Sequence, residues 1–339
     1  VLDDKEQYDA DAKDTLGYGR QDGLTPSFDV AKVRLVLRGT VFRTWVRYNL
    51  MFEAGRTPGE SSSKIKDAYL ELGKEVLSIR AGQYKVPFGL QELTADTGQE
   101  FVDRSLANAA FAPSRDTGVM LMGTGRARKL GYALGAFNGS GESRVQNNRA
   151  LMWAARLWAA PLGEHKLTEG ALEAPVKGSL HLGLAARGCD AMKGGNPGIV
   201  QDINRQLALG LELAWKWQRL FLTGEAFWQR DDVHNPASGP HVEGYGWHLQ
   251  GGYLVLPRRL ELGLRYAAVD PNRDVQDDRS TELRGAADYY WKGHNLKLQA
   301  DAGLLSYEPR ASGRSNRLAQ AVDEKLQDFQ LRLQLQLSF

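Results

Sequence analysis

From Lys325 to Phe339 apolar and polar positions alternate without interruption. Phe329, Leu331, Leu333, Leu335, Leu337 and Phe339 share one phase, and Gln330, Arg332, Gln334, Gln336 and Ser338 the other. Successive side chains of a strand point to opposite faces, so this segment has one hydrocarbon face and one wet face. The same period recurs along the chain. Leu207, Leu209, Leu211, Leu213, Trp215 and Trp217 oppose Gln206, Glu212 and Lys216, and Leu260, Leu262, Leu264 and Tyr266 oppose Glu261 and Arg265. Likewise Leu296, Leu298, Ala300, Ala302 and Leu304 oppose Lys297, Gln299 and Asp301, and Val46, Tyr48, Leu50 and Phe52 oppose Arg47, Asn49 and Glu53. Fifteen strands are predicted, near 27–38, 41–53, 64–72, 75–85, 115–124, 130–139, 149–160, 179–189, 205–217, 219–230, 242–256, 258–269, 280–292, 294–307 and 325–339.

Period-2 alternation fits either a soluble sandwich with a shared core or a cylinder whose apolar face meets lipid. Aromatics decide between them. Trp215, Trp217, Trp228, Tyr245, Trp247, Tyr253, Tyr266, Tyr289, Trp291 and Phe339 stand towards strand ends. A sandwich has no need of rings there, whereas amphipathic rings settle in the headgroup zone of a membrane. The fold class predicted is therefore all-β: a transmembrane antiparallel β-barrel of the bacterial outer membrane, one unit over 1–339, with 325–339 as its closing strand and membrane lipid as its surroundings. Such single-chain barrels have an even number of strands, so sixteen are expected. The missing one is expected from residues before Val1, the other source being the polar segment Asp3–Pro26. No secretory signal is visible at Val1, so the sequence is taken as processed or trimmed.

Composition agrees. Mean hydropathy is −0.43, and no run approaches the ~18 apolar residues of a spanning helix. Barrels escape hydropathy because half of each strand is polar. A net charge of +2 says little about partners by itself, and no nucleic-acid partner is expected; a single cysteine, Cys189, leaves no disulfide framework and no thiolate metal cluster. Catalytic motifs are thin. Gly123-Thr124-Gly125 lacks the third glycine of a dinucleotide fingerprint, no Gly-x-Ser-x-Gly elbow is present, and the six histidines are scattered. No enzyme activity, metal or cofactor is expected.

Short connections at Gly39-Thr40, Gly73-Lys74, Gln218, Pro257 and Gly293 are predicted as periplasmic turns. Long ones near 54–63, 86–114, 140–148, 190–204, 231–241, 270–279 and 308–324 are predicted as extracellular loops. The stretch 161–178 breaks the alternation and is expected to be a small periplasmic excursion. The longest loop lies within GQYKVPFGLQELTADTGQEFVDRSLANAAFAPSRDTG, residues 82–118. Its Gly82, Lys85, Pro87, Phe88, Gly89 and Leu90, then Phe101, Asp103, Arg104 and Ser105, then Pro113, Arg115, Asp116 and Gly118 resemble the phosphate-selective porin O and P family. Ala136-Phe137-Asn138-Gly139-Ser140-Gly141 resembles the family's next strand end. Asp103 stands where the family more often has Glu. The resemblance implies a sixteen-stranded barrel, usually a homotrimer, with loop 86–114 folded into the lumen as a constriction and small anions, phosphate among them, passing a basic wall.

The residues add their own account of that wall. Arg34, Arg38, Arg43 and Arg47 lie on the polar phase of the first two strands and would form a positive strip facing the folded loop, with Arg80 on the same phase further on. Fixed charge in a narrow aqueous pore concentrates counter-ions. Alternatively these arginines pair across strands with Glu53, Asp67 and Glu71. Arg104 and Arg115 either line the constriction or pair with Asp103 and Asp116 to hold the loop against the wall. Lys85 is expected to be an exposed charge there. Passive diffusion of small hydrophilic solutes, anions preferred, is the function expected. The alternative is a sheath around a partner such as an outer-membrane cytochrome, which the inward loop disfavours by filling the space a partner needs.

Overall fold

A computed structural model describes residues 2–4, 7–9, 19–21, 24–26, 28, 30–54, 64–125, 127–144, 150–190, 203–233, 241–311 and 325–339. The loops expected over 54–63, 190–204, 231–241 and 308–324 fall largely outside these, as do residues 145–148 of the loop expected over 140–148. Four short strands come first, β1 (Leu2–Asp4), β2 (Gln7–Asp9), β3 (Gly19–Gln21) and β4 (Leu24–Pro26). The long strands follow: β5 (Arg34–Val41), β6 (Arg43–Glu53), β7 (Lys64–Lys74), β8 (Leu77–Lys85), β9 (Arg115–Gly125), β10 (Leu130–Phe137), β11 (Met152–Ala159) and β12 (Ser179–Asp190). After them come β13 (Ile203–Trp217), β14 (Leu220–Val233), β15 (His241–Leu256), β16 (Leu260–Asp270), β17 (Ser280–Tyr290), β18 (Leu296–Tyr307) and β19 (Leu326–Leu337). Between β8 and β9 stand α1 (Leu90–Leu93), a 3-10 turn (Asp96–Gly98) and α2 (Leu106–Phe111).

Each strand from β5 to β19 is antiparallel to the next. The two ends of this run converge. Arg34 of β5 reaches Asp96, and Gln336 of β19 donates to the carbonyl of the next residue, Thr97. The sheet thus curls right round residues 86–114, a barrel with its polar phase inside. On β19, Leu331, Leu333, Leu335 and Leu337 are exposed, whereas inward Lys297, Gln299 and Asp301 of β18 are buried. In water the leucine rows would each forfeit roughly 1.5–3 kcal/mol per side chain relative to burial; lipid removes that cost.

Part of the polar amino-terminal segment lies beside β19: Leu2, Asp3 and Asp4 pair with Leu331, Gln330 and Phe329, and β1 pairs in turn with β4. The first long strand begins at Arg34, later than the expected residue 27, because its partner β6 ends opposite it at Glu53. The first turn also shifts. Gly39 sits inside β5 opposite Tyr48, and the chain reverses at Phe42, whose φ is 61°. Gly73 likewise pairs with Ser78, leaving Glu75-Val76 as the turn.

Rings gather at both ends of the outer face. Trp217, Tyr253, Tyr289 and Trp291 lie at the short-turn end, and Trp228, Tyr245, Trp247 and Tyr266 at the other. Tyr289 packs on Trp291 at 5.0 Å and Trp247 on Tyr266 at 5.3 Å. From Tyr245 to Tyr253 a strand rises about 27 Å, which the tilt of a barrel strand shortens to roughly 20 Å, comparable with an apolar band of about 25 Å.

The stretch 161–178 is not an outward excursion. Its Glu169 is buried and accepts hydrogen bonds from Gln91 Nε2 at 2.8 Å and the Glu100 amide at 2.9 Å, and the Ala171 amide donates to Glu261 of β16 at 2.5 Å. It enters the lumen from the short-turn end and meets the segment 86–114.

Candidate functional site

Residues 86–114 are pinned inside the barrel at both ends. Phe88 and Phe111 each stack on Phe227 of β14 with ring centroids 5.9 Å apart. Gly89, at φ 85°, is in the left-handed region that an L side chain rarely occupies, and it turns the chain into α1. The freed Leu90 and Gln91 amides then donate to the Glu225 carboxylate at 2.5 and 3.0 Å. Unsatisfied amides at a helix start favour such an acceptor. Ser105 caps α2 by accepting from the Asn108 amide at 3.1 Å. Further on, Val102 and Leu106 amides donate to Asp301 and Glu282, and Arg265 stacks over Phe101 at 4.3 Å. The segment lies against β14–β19 and touches β5 and β8 through Asp96 and Lys85, while Arg38 on the polar phase of β5 stays exposed and marks open space on that side.

Asp96 is the hub facing that space. Its carboxylate takes Arg104 at 2.6 Å, Arg34 at 2.6 Å and Lys32 at 3.2 Å. Burial opposes its ionisation, yet Arg104, Lys32, Arg34 and Lys85 together hold the carboxyl well below the usual range. Arg104 also binds Glu92 at 3.0 Å. Its partners are therefore Asp96 and Glu92, not its neighbour Asp103, which accepts from Arg332 of β19 at 2.5 Å. Arg115 pairs with Asp67 of β7 at 2.8 Å, and the adjacent Asp116 instead accepts the Gly139 amide at 2.6 Å. Lys85 is not an exposed charge: its Nζ donates to the Glu92 and Thr94 carbonyls at 2.5 and 2.9 Å, tying the start of the segment to its own strand.

On the opposite wall Arg34 pairs with Glu53, and Arg47 and Arg80 share Glu71, Arg80 at 2.6 Å with its guanidinium 4.2 Å above the Tyr69 ring. Both accounts of the strip thus hold for these three: they face the lumen and they are paired. Arg38 is exposed opposite Asn49, with no ion pair among the described residues. Arg43 is exposed at the turn, beyond the register shift that follows Thr40. That shift breaks the regular file which strict alternation predicts.

Two histidines have purely internal partners. His181 contacts Glu212 at 3.1 Å beside Arg156. His248 Nδ1 lies 3.0 Å from Ser105 Oγ, with Glu225 3.8 Å from its Nε2. This serine–histidine contact has no sequence marker, since its members lie 143 residues apart. Both are sealed from solvent, and the serine oxygen is engaged in capping α2, so the contact fastens the helix to the wall. Among the described residues no group of three or more His, Cys, Asp or Glu side chains is arranged to hold a metal ion.

Lipid-facing leucines, paired aromatic belts and a charged lumen narrowed by an inner segment define an outer-membrane channel for small solutes. The chain belongs to the family described as phosphate-selective porin O and P, whose profile matches residues 5–339. The fold is shared with solved outer-membrane structures at low sequence identity. The outer-membrane channel DcaP of Acinetobacter baumannii is 13% identical at a TM-score of 0.61, over 98% of this chain and 93% of that one. An anion-selective porin from Comamonas acidovorans is 13% identical at 0.56, over 98% and 96%. OmpT of Vibrio cholerae is 13% identical at 0.55, over 97% and 92%. No curated protein sequence matches the chain. Family and fold point to a channel and not to an enzyme.

Proposed function

We propose that this channel prefers small anions, inorganic phosphate among them, and that residues 86–114 form its constriction. The observation that carries the reading is the β5–β8 wall. Arg34, Arg38, Arg47 and Arg80 stand there against Glu53 and Glu71, and Arg38 is without an ion pair among the described residues. Across the gap, Arg104 adds a further positive group beside Asp96. Low-dielectric walls focus the field of such charges and raise the local anion concentration. Arg43, at the turn, would extend the positive region towards the short-turn mouth, while Lys85 and Arg115 act by holding the constriction in place. A homotrimer is part of the proposal, supported by family membership and by a trimer form among the OmpT structures of the same fold. A sheath for a partner protein is less well supported, because 86–114 and 161–178 occupy the lumen.

The test is the reversal potential of the purified protein in planar bilayers under a KCl gradient. Anion preference is expected, with phosphate able to carry current when it replaces chloride; cation preference rejects the proposal.

A further inference from the structure

Where the inner segment, the stretch 161–178 and the wall meet, more carboxyl groups are buried than there are cations to match them. The Tyr290 phenol of β17 lies 3.1 Å from Glu100 Oε2, 3.1 Å from Glu261 Oε2 and 3.4 Å from Asp288 Oδ2. Glu100, Glu261 and Asp288 are all fully buried. A phenol has one proton and can donate to one carboxylate only. A second carboxyl oxygen at hydrogen-bond distance from the same phenol either shares that one proton in a weaker three-centre bond or is itself the donor, as a carboxylic acid. Glu100 Oε1 and Asp288 Oδ1 have no hydrogen-bond partner among the described residues, a costly state for a charged group and a tolerable one for a neutral acid.

The two neighbouring lysines supply only part of the missing charge. Lys297 of β18 directs its shortest bond to the Gln99 carbonyl at 2.5 Å and stays 3.7 Å from Asp288. Gln299 donates to Asp288 at 2.9 Å and to the Gln99 and Glu100 carbonyls at 3.1 Å. Lys216 of β13 is bound to Thr168 at 2.8 Å. Glu169 adds a fourth carboxylate, and His294, in the turn after β17, packs edge-on against Tyr290 at 5.5 Å. No slack is available. A Cβ on Gly170, at φ +75°, would stand 2.7 Å from Glu261 Oε2 and 3.0 Å from Glu100 Oε2.

We propose that this cluster is a proton-held latch on the inner segment: shared protons keep 86–114 docked against β16–β18 and against 161–178 near neutral pH, and alkaline ionisation releases it and widens the channel. Burial, with Asp288 and Glu261 alongside, pushes the Glu100 carboxyl up. The docked segment therefore holds a proton that an undocked one would release, and docking weakens as pH rises.

This inference rests on 86–114 being the constriction, and the experiment separates the two. In planar bilayers, single-channel conductance of the full chain is expected to rise between about pH 7 and about pH 10, below and around ordinary lysine and tyrosine values. The rise should be lost in the Glu100→Gln, Asp288→Asn double variant, whose amides cannot ionise. On wild-type protein, infrared spectra should show a carboxylic-acid C=O band at neutral pH that disappears on alkalinisation. Amide exchange over 98–102, corrected for base catalysis, should rise over the same range. No acid band at neutral pH, or an equal pH response in the double variant, overturns the latch. If the variant does not fold, the wild-type spectra and exchange decide alone. A protein that conducts at no pH sinks the channel reading while leaving those two measurements to judge the cluster.

Discussion

Asp96 gathers Arg104, Arg34 and Lys32, one from the inner segment and two from the amino-terminal side of the facing wall. It is the carboxylate on which the inner segment and the facing wall meet. Replacing it by Asn removes one negative charge from a group in which Arg34 keeps Glu53 and Arg104 keeps Glu92, so reversal potentials in a KCl gradient should move further towards chloride; a move towards potassium would contradict the assigned geometry. Arg38 presents the complementary case. With no ion pair to disrupt among the described residues, Arg38→Glu should cut anion preference more than Arg104→Lys, since Lys keeps the charge of a residue already committed to Glu92 and Asp96. Adjacent charges in the sequence were poor guides to these partners. Arg104 lies beside Asp103 and Arg115 beside Asp116, yet each arginine pairs elsewhere, because neighbouring side chains on extended backbone diverge and register brings distant ones together.

Each β-element has two faces in different solvents, and substitution on either should differ in kind. Leu333 is 66% exposed midway along β19, while its neighbour Gln334 donates to Gln299 inside the barrel. Leu333→Arg is expected to destabilise the protein by about 2–4 kcal/mol in lipid vesicles, with Gln334→Arg costing less, as measured by denaturant unfolding. The inner segment depends on a different device, two rings stacked on one. Phe227→Ala removes the support of both Phe88 and Phe111 and should cost about 3–5 kcal/mol of local packing. Amide exchange should then increase across 88–111 while β18 and β19 stay protected; uniform loss of protection would mean that the ring serves the barrel and not the segment. Strand positions were largely legible from alternation, whereas turns were displaced where a glycine serves close strand approach, as at Gly73, and not chain reversal.

At the scale of the whole molecule, selectivity is a field effect of many charges across an aqueous gap. The Debye length falls from about 10 Å at 0.1 M salt to about 3 Å at 1 M. The anion-to-cation permeability ratio should therefore decline towards unity as salt rises at a fixed gradient ratio, while conductance grows. A ratio independent of salt would assign selectivity to a desolvated binding site and not to the wall. The barrel also explains how so many charged residues are buried at once. Arg265, Arg284 and Arg332 with Glu282 and Asp301 form one continuous lattice on the inner wall, so each charge has partners with good geometry.

The alternation of apolar and polar residues by itself determined the strands, their two-faced character and the arginine-rich phase of β5–β8, because a period of two follows from backbone geometry alone, and the aromatics towards strand ends added the membrane setting. Family membership was legible in residues 82–118, where turn and loop chemistry is written in consecutive positions. Tertiary structure alone decided which arginines are paired, that Leu2–Asp4 lies along β19, and that 161–178 turns inward to meet Glu100. Those outcomes depend on contacts between residues tens to hundreds of positions apart, set by curvature and register that local pattern does not encode.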